Sequence, residues 1–130
     1  MKLSVLLARD PVWRPSPEEA AEAESWGGVA REPGAPEALA REVRWWRARE
    51  AADRGDWVTV SRLAEEGLAD PFSEREAVRI AFLHCVSGDL DRAEHVIAQA
   101  VQMGSEETLP ARFSGWCGRE GLAEAAERFR

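Results

Sequence analysis

The sequence predicts an all-α fold of antiparallel helix pairs, preceded by a short N-terminal extension. The main observation is a turn that recurs after 33 residues, first as Gly55-Asp56-Trp57 and then as Gly88-Asp89-Leu90. After each turn, apolar residues follow the i, i+3, i+4, i+7 spacing of one buried helix face. Repeats of this length with two helices per unit are typical of stacked hairpins, because one hairpin cannot bury its apolar face alone. We therefore expect a helical-hairpin repeat domain over residues 36–130 and an extension over residues 1–35.

The N-terminal extension is expected to hold a short apolar strand or arm and one short helix. Residues 2–8 are apolar and tolerate a β conformation, and residues 26–30 are the only candidate strand that could pair with them. The segment Ser16-Pro17-Glu18-Glu19 predicts a helix start, with a serine cap, a proline in the first turn and a glutamate three residues after the serine. The helix is expected to end at Gly27-Gly28.

From residue 37 onward, the start and stop signals of helices follow one another closely. The predicted helices cover residues 37–54, 57–68, 74–87, 89–103, a segment that begins after Thr108, and 120–129. The glycines expected to end three of them are Gly55, Gly88 and Gly104. Asp70-Pro71 is expected to end the second helix, and Ser73 opens a second capping box with Glu76.

The repeated segments resemble a tetratricopeptide-repeat array, with three degenerate units over residues 38–130. The matching residues are Gly55, Trp57, Gly88 and Leu90 at the turns, the small residues Ala93 and Ala100, and Pro71 near the proline that ends a unit. A weaker third copy, with a period of 32 residues, contains Leu122, Ala125 and Phe129. The resemblance implies a right-handed α-α superhelix of antiparallel helix pairs, in which the first helices line a concave groove.

The sequence also departs from the pattern of this family. The first helix of each unit lacks the family's Trp/Leu-Gly-Tyr pattern, and Arg44 and Arg47 stand at positions that are apolar in the second unit. The first unit is therefore expected to pack differently, against the N-terminal segment. The third unit lacks a glycine at the position of Gly88 and is expected to be a cap. A general α-α superhelix or an irregular helical bundle is the alternative fold.

The composition argues against several classes of partner and location. The formal net charge is -7, from 24 acidic residues against 17 lysines and arginines, whereas nucleic-acid binders usually present a basic stripe to the phosphates. The apolar stretch over residues 3–8 is too short to span a bilayer or to act as a secretion signal. We therefore expect a cytoplasmic protein with no nucleic-acid or membrane partner. The 22 alanines, the 16 arginines and the lack of asparagine fit GC-rich codon use or a thermophilic origin.

No residue pattern in the sequence indicates catalysis or a bound cofactor. A nucleophile elbow and a glycine-rich phosphate loop are both missing, so we expect a non-enzymatic protein without a cofactor. The soft metal ligands are His84, Cys85, His95 and Cys117, and their spacing lacks the tight pairs of zinc sites. A small metal-dependent protein that uses His84, Cys85 and Cys117 is the weaker alternative. The two cysteines could form a disulfide or lie buried as small apolar thiols.

The six tryptophans provide a candidate anchor for a partner. Trp45 and Trp46 point roughly 100° apart on one helix, so at most one of them is expected to lie fully in the core. Trp46 continues the apolar stripe of its helix, which leaves Trp45 as the anchor, next to Arg49 one turn later. The alternative is that the N-terminal arm covers Trp45. The tryptophans expected to fasten the core are Trp13, Trp26, Trp46, Trp57 and Trp116.

The resemblance extends this candidate site into the second unit, where the corresponding face of the first helix would line the groove. The predicted partner-binding residues are Trp45, Arg49, Arg75, Val78 and Phe82. We expect them to bind a peptide or a protein, with Arg49 and Arg75 holding an acidic or C-terminal carboxylate group. The alternative is a self-associating accessory subunit, in which the strand over residues 3–8 pairs across a homodimer or packs on another subunit.

Overall fold

The computed structural model describes residues 2–69 and 73–130, and this part of the chain is all-α, as predicted. It holds eight helices and no strand. The helices are α1 Leu3–Leu7, α2 Pro17–Ala30, α3 Glu37–Asp53, α4 Trp57–Ala69, α5 Glu74–Val86, α6 Leu90–Gln102, α7 Leu109–Arg119 and α8 Ala123–Phe129. None of these described helices combines the length and the apolar character that a membrane span requires.

The chain divides into two compact units, Met1–Gly67 and Leu68–Arg130. In the first unit, α2 packs against α3 and α1 also contacts α3. In the second, α5 packs against α6 and α7 packs against α8. The first helix of the first unit, α3, therefore packs against the N-terminal segment, as expected, whereas the division into residues 1–35 and 36–130 stays a prediction.

Two predictions for the N-terminal extension are wrong. Residues 2–8 hold α1 in place of a strand, with Leu6 buried and Val5 and Leu7 exposed. Residues 26–30 belong to α2, so they cannot act as a pairing strand. A lone strand would leave its backbone groups unpaired, whereas this short helix pairs some of them locally, such as the Ala8 N–H with the Ser4 carbonyl at 3.2 Å.

The helix α2 begins as predicted and ends later than predicted. The Ser16 hydroxyl accepts a hydrogen bond from the Glu19 N–H, and the Glu19 carboxylate accepts one from the Ser16 N–H, at 3.2 and 3.0 Å. Gly27 and Gly28 do not end the helix, which continues to Ala30. Glycine disfavours a helix by only about 1 kcal/mol, and packing against α3 can outweigh that cost.

The turns that follow α3, α5 and α7 share one geometry. Each contains a glycine in the left-handed region, with φ of 72° at Gly55, 89° at Gly88 and 79° at Gly121. The N–H of the residue after each glycine donates to a carbonyl five residues earlier, at 2.8–2.9 Å. This is the Schellman arrangement, which satisfies the last carbonyls of a helix.

Gly121 corrects the prediction that the third unit lacks a turn glycine. The weaker third copy was aligned with a period of 32 residues, which pairs Glu120 with Gly88. In the structure, the turn glycines and the boundaries of the flanking helices recur every 33 residues. The last helix accordingly begins at Ala123 and not at Glu120.

The remaining helix starts are mostly as predicted. The Ser73 hydroxyl accepts from the Glu76 N–H and the Asp89 carboxylate accepts from the Arg92 N–H, each at 3.2 Å. Thr108 precedes α7 but its side chain makes no cap hydrogen bond. The predicted stop at Asp70-Pro71, and with it the unit-ending role of Pro71, lies outside the described residues.

Candidate functional site

Most of the predicted partner-binding residues are buried. Four of these five residues are at most 2% exposed, namely Trp45, Arg49, Val78 and Phe82. Arg75 is partly exposed. Trp45 and Arg49 belong to the first compact unit and the other three residues to the second. Binding of a partner at these residues stays a prediction, and it would require the residues that cover them to move.

Trp45 and Trp46 are both buried, so the expectation that only one would reach the core is wrong. The N-terminal segment is the reason. The Trp45 indole N–H donates to the Trp13 carbonyl at 2.8 Å, and the rings of Trp13 and Trp46 meet edge to face at 5.6 Å. Trp26 lies 6.5 Å from Trp46. Trp13 and Trp26 thus fasten the N-terminal segment to α3, as predicted.

Two buried polar side chains support this cluster. The Trp13 indole N–H donates to the Glu42 carboxylate at 3.2 Å. The Arg49 guanidinium lies 5.9 Å from the centre of the Trp45 ring, which is the cation–π geometry expected for this pair. The alternative in which the N-terminal segment covers Trp45 is therefore the arrangement in this structure.

Trp57 is exposed, as had been expected of Trp45. Trp57 is 44% exposed and its neighbour Val58 is 83% exposed. The buried face of α4 begins only at Val60 and continues with Leu63 and Ala64. The prediction that Trp57 fastens the core is therefore wrong, and Trp57 and Val58 form an exposed apolar surface that we name the Trp57–Val58 patch.

The candidate metal ligands do not assemble into a site. Among the described residues, no group of three or more histidine, cysteine, aspartate or glutamate side chains is placed to hold a metal ion. Cys85 and Cys117 are free and buried, and each thiol shifts the pKa of the other. Burial lowers the pKa of His84, while His95 is exposed.

A cleft of about 620 Å³ lies within the first compact unit, lined by α2, α3 and α4. Its small or apolar lining residues are Ala20, Ala21, Ala23 and Leu63, and its polar ones are Glu24, Arg31, Arg47, Glu50, Arg54, Thr59 and Arg62. Four arginines therefore face two glutamates in a chain whose net charge is negative. We name it the arginine cleft.

Two of the four arginines in the cleft are neutralised by nearby carboxylates. Arg54 pairs with Glu50 and lies 3.8 Å from Asp56. Arg62 pairs with Glu66 at 2.9 Å. The Thr59 hydroxyl donates to Asp56 at 2.7 Å, and this hydrogen bond lowers the pKa of Asp56.

The other two arginines of the cleft have no such partner. Within the described part of the chain, neither Arg31 nor Arg47 makes a hydrogen bond or an ion pair. Their guanidinium groups converge over Gly27, which lies between Glu24 and Arg31 on α2. A Cβ atom at Gly27 would lie 2.0 Å from Nη2 of Arg47 and 3.6 Å from Nη1 of Arg31.

A second cleft shows the more usual state of arginines in this protein. It lies in the second compact unit, has a volume of about 410 Å³ and is lined by Glu74 and Arg112 among others. Its arginine is paired, because Arg112 donates to Glu74 at 3.1 Å. Arg31 and Arg47 thus differ from Arg112, which has an acidic partner within hydrogen-bond distance.

The sequence analysis did not identify Gly27, Arg31 or Arg47 as a group. Gly27 was assigned as a helix stop, and Arg47 was noted only as a charged residue at the position of Ile80 in the second unit. These two departures from the expected pattern were the sequence features that pointed to Gly27 and Arg47. An arginine in place of an apolar residue on one helix and a glycine inside the preceding helix fit the close approach that the structure shows.

Comparisons with protein-family models, with curated proteins and with solved structures found no match to this chain.

Proposed function

We propose that this chain is a non-enzymatic interaction module, a short array of tetratricopeptide-like helical hairpins that binds a peptide or protein partner. The 33-residue recurrence of helix boundaries and turn glycines supports the array. Units that share one turn geometry and one length can stack with the same rotation between neighbours, which generates a superhelix. In such an array the outer faces and the groove are available for binding.

The observation that carries this proposal is the Trp57–Val58 patch. A half-exposed tryptophan beside a nearly fully exposed valine presents apolar area to solvent at the start of α4. Tryptophan is enriched among the residues that dominate binding energies at interfaces. Val58 and Arg62 are neighbours on the surface of α4, four residues apart, so the Arg62–Glu66 ion pair borders the patch. This combination fits a partner segment with an apolar side chain flanked by polar groups.

The test is to substitute both residues of the patch and to measure the affinity of the purified chain for a purified partner. The tagged chain is used to capture proteins from the cells that produce it, and each captured protein is then purified and titrated against the chain. We expect the double variant Trp57→Gln, Val58→Gln to weaken the binding of the partner at least about 30-fold, because the loss of a buried tryptophan typically costs about 2 kcal/mol or more.

The matched control is Met103→Gln, which changes an exposed apolar residue of the second compact unit. This variant should bind the partner as the unchanged chain does, and the helical circular dichroism of all three proteins should agree. Equal affinities of the double variant and the unchanged chain for every captured protein would refute the proposed patch. Capture of a second copy of the chain alone would favour the homodimer over a different partner.

A further inference from the structure

We propose that Arg31 and Arg47 form a binding site for a phosphate group, free or as a monoester, in the arginine cleft. The site is separate from the Trp57–Val58 patch and does not depend on the proposed partner. The first step of the argument is charge. Arg54 and Arg62 are neutralised by carboxylates, whereas the guanidinium groups of Arg31 and Arg47 have none within ion-pair distance in the described part of the chain.

Two unpaired guanidinium groups side by side repel each other, and a bound anion would remove that repulsion. Elsewhere in the described chain, an arginine can have two acidic partners, as where Arg128 contacts both Asp91 and Glu94. The C-terminal end of α2 carries a partial negative charge of roughly half a unit, which offsets only part of the two positive charges. A net positive charge therefore remains at this end of the cleft.

Gly27 provides the space for this arrangement. Nη2 and Cζ of Arg47 would lie 2.0 and 2.9 Å from a Cβ atom at this position, which is closer than side chains can approach. The Arg47 guanidinium thus lies directly on the backbone of α2, beside the Arg31 guanidinium. Any larger residue at position 27 would push the end of the Arg47 side chain away from Arg31.

The charge of the site selects the class of ligand. A phosphate monoester carries about -1.5 to -2 charges at neutral pH and offers three acceptor oxygens, so it can neutralise both guanidinium groups. A single carboxylate carries one charge and fills one guanidinium fork. The planar forks of two arginines are well suited to several phosphate oxygens at once.

The rest of the cleft is compatible with an anion at one end only. Glu24 also lines the cleft, and on α2 it precedes Arg31 by seven residues, or about 10 Å along the helix axis. Its carboxylate would repel a phosphate group placed close to it. Gly27 lies between Glu24 and Arg31, and the Arg47 guanidinium occupies the space next to it, so the anion would lie on the Arg31 side of Gly27, at the basic end.

The test is a calorimetric titration of the full chain at low ionic strength and neutral pH. Phenyl phosphate is the main probe, benzoate is the carboxylate of similar size, and inorganic phosphate and a phosphoserine peptide distinguish a free from an esterified phosphate. We expect phenyl phosphate to bind at least about tenfold more tightly than benzoate. Tighter binding of inorganic phosphate than of both esters would assign the site to free phosphate, and the reverse would assign it to a monoester.

Variants of the site separate binding from folding. Arg47→Gln and Arg31→Gln should each weaken phenyl phosphate binding at least about tenfold, because one of the two charges is lost. Gly27→Ala should weaken it similarly by displacing the Arg47 guanidinium. Because the displaced atoms are the far end of a flexible side chain, this variant should fold, and it gains helix propensity.

The matched control is Gly28→Ala, on the same helix, where a Cβ atom would have no neighbour within 4 Å. This variant should bind phenyl phosphate as the unchanged chain does. The proposal is overturned by equal binding of benzoate and phenyl phosphate, by the absence of phosphate binding, or by undiminished binding in folded Gly27→Ala and Arg47→Gln.

Discussion

Cys85 and Cys117 show how burial and a close neighbour determine the chemistry of single residues in this protein. They lie on α5 and α7 within the second compact unit, and both are buried. The hydrogen bond with Cys117 and the burial of its own side chain raise the pKa of the Cys85 thiol. Only the thiolate reacts with thiol reagents, so burial protects both thiols, and the raised pKa adds to the protection of Cys85.

We therefore predict that neither cysteine of the native chain reacts with Ellman's reagent until the second unit unfolds. In a urea titration, the appearance of reactive thiols should follow the loss of helical circular dichroism. Ser61→Cys provides the control, because Ser61 is exposed on α4 and its substitute should react at once in the folded protein. Rapid reaction of the unchanged native chain would contradict the burial of the two thiols.

Sequence reasoning at the residue scale identified which residues are apolar but not which of them are covered. Trp45 was assigned to the surface because its neighbour Trp46 continues the apolar stripe of α3. The stripe argument treats a helix as covered on one face, whereas α3 also receives Trp13 and the segment around it. Trp57 shows the opposite error, because an apolar residue at a helix start can precede the covered face.

At the scale of the helices, the predictions were best where the signal is local. The capping residues Ser16, Ser73 and Asp89 bond to backbone groups only three residues away, so the sequence contains both partners. The turn glycines are equally local. The end of α2 was missed because α2 packs against α3, a contact that the local sequence does not contain. The strand over residues 2–8 was predicted from a propensity that short segments share with helices.

The turn glycines lead to a prediction about stability, and a second glycine in the same hairpin provides the control variant. Gly121 has a φ of 79°, where a Cβ atom strains the backbone. We expect Gly121→Ala to lower the free energy of unfolding by about 1 kcal/mol or more. The measurement is urea unfolding followed by circular dichroism.

The control for this prediction is Gly115→Ala. Gly115 lies inside α7, and a Cβ atom there would have no neighbour within 4 Å. Since alanine is the better helix former, this variant should be more stable than the unchanged chain, by up to about 1 kcal/mol. If the two variants changed the stability in the same direction, the assigned role of the Gly121 turn would be wrong.

For the molecule as a whole, the titratable groups predict how stability depends on pH. Burial is the main cause that lowers the pKa of His84, and Arg92 acts in the same direction, while Asp89 raises it. The hydrogen bond from Arg9 is the main cause that lowers the pKa of Glu19. Both groups thus bind protons less readily in the folded than in the unfolded chain, so protonation favours unfolding.

The two groups act in different pH windows. The stability associated with His84 is fully present above its ordinary pKa of 6.5 and is lost as the pH falls through the lowered value. The contribution of Glu19 is lost only below its ordinary pKa of 4.5. Between pH 7.5 and 5.5, His84 is therefore the group expected to change the stability.

We predict that the Tm of the unchanged chain falls between pH 7.5 and 5.5 and that His84→Gln reduces this fall. Glutamine cannot take up a proton, so the variant should lose the difference in proton binding between the folded and unfolded chains. His95→Gln is the control, because His95 is exposed, and its Tm should follow that of the unchanged chain. Thermal unfolding at several pH values, monitored by circular dichroism, measures all three proteins. A fall in Tm that is equally steep in His84→Gln and in the unchanged chain would show that the burial of His84 does not govern stability in this window.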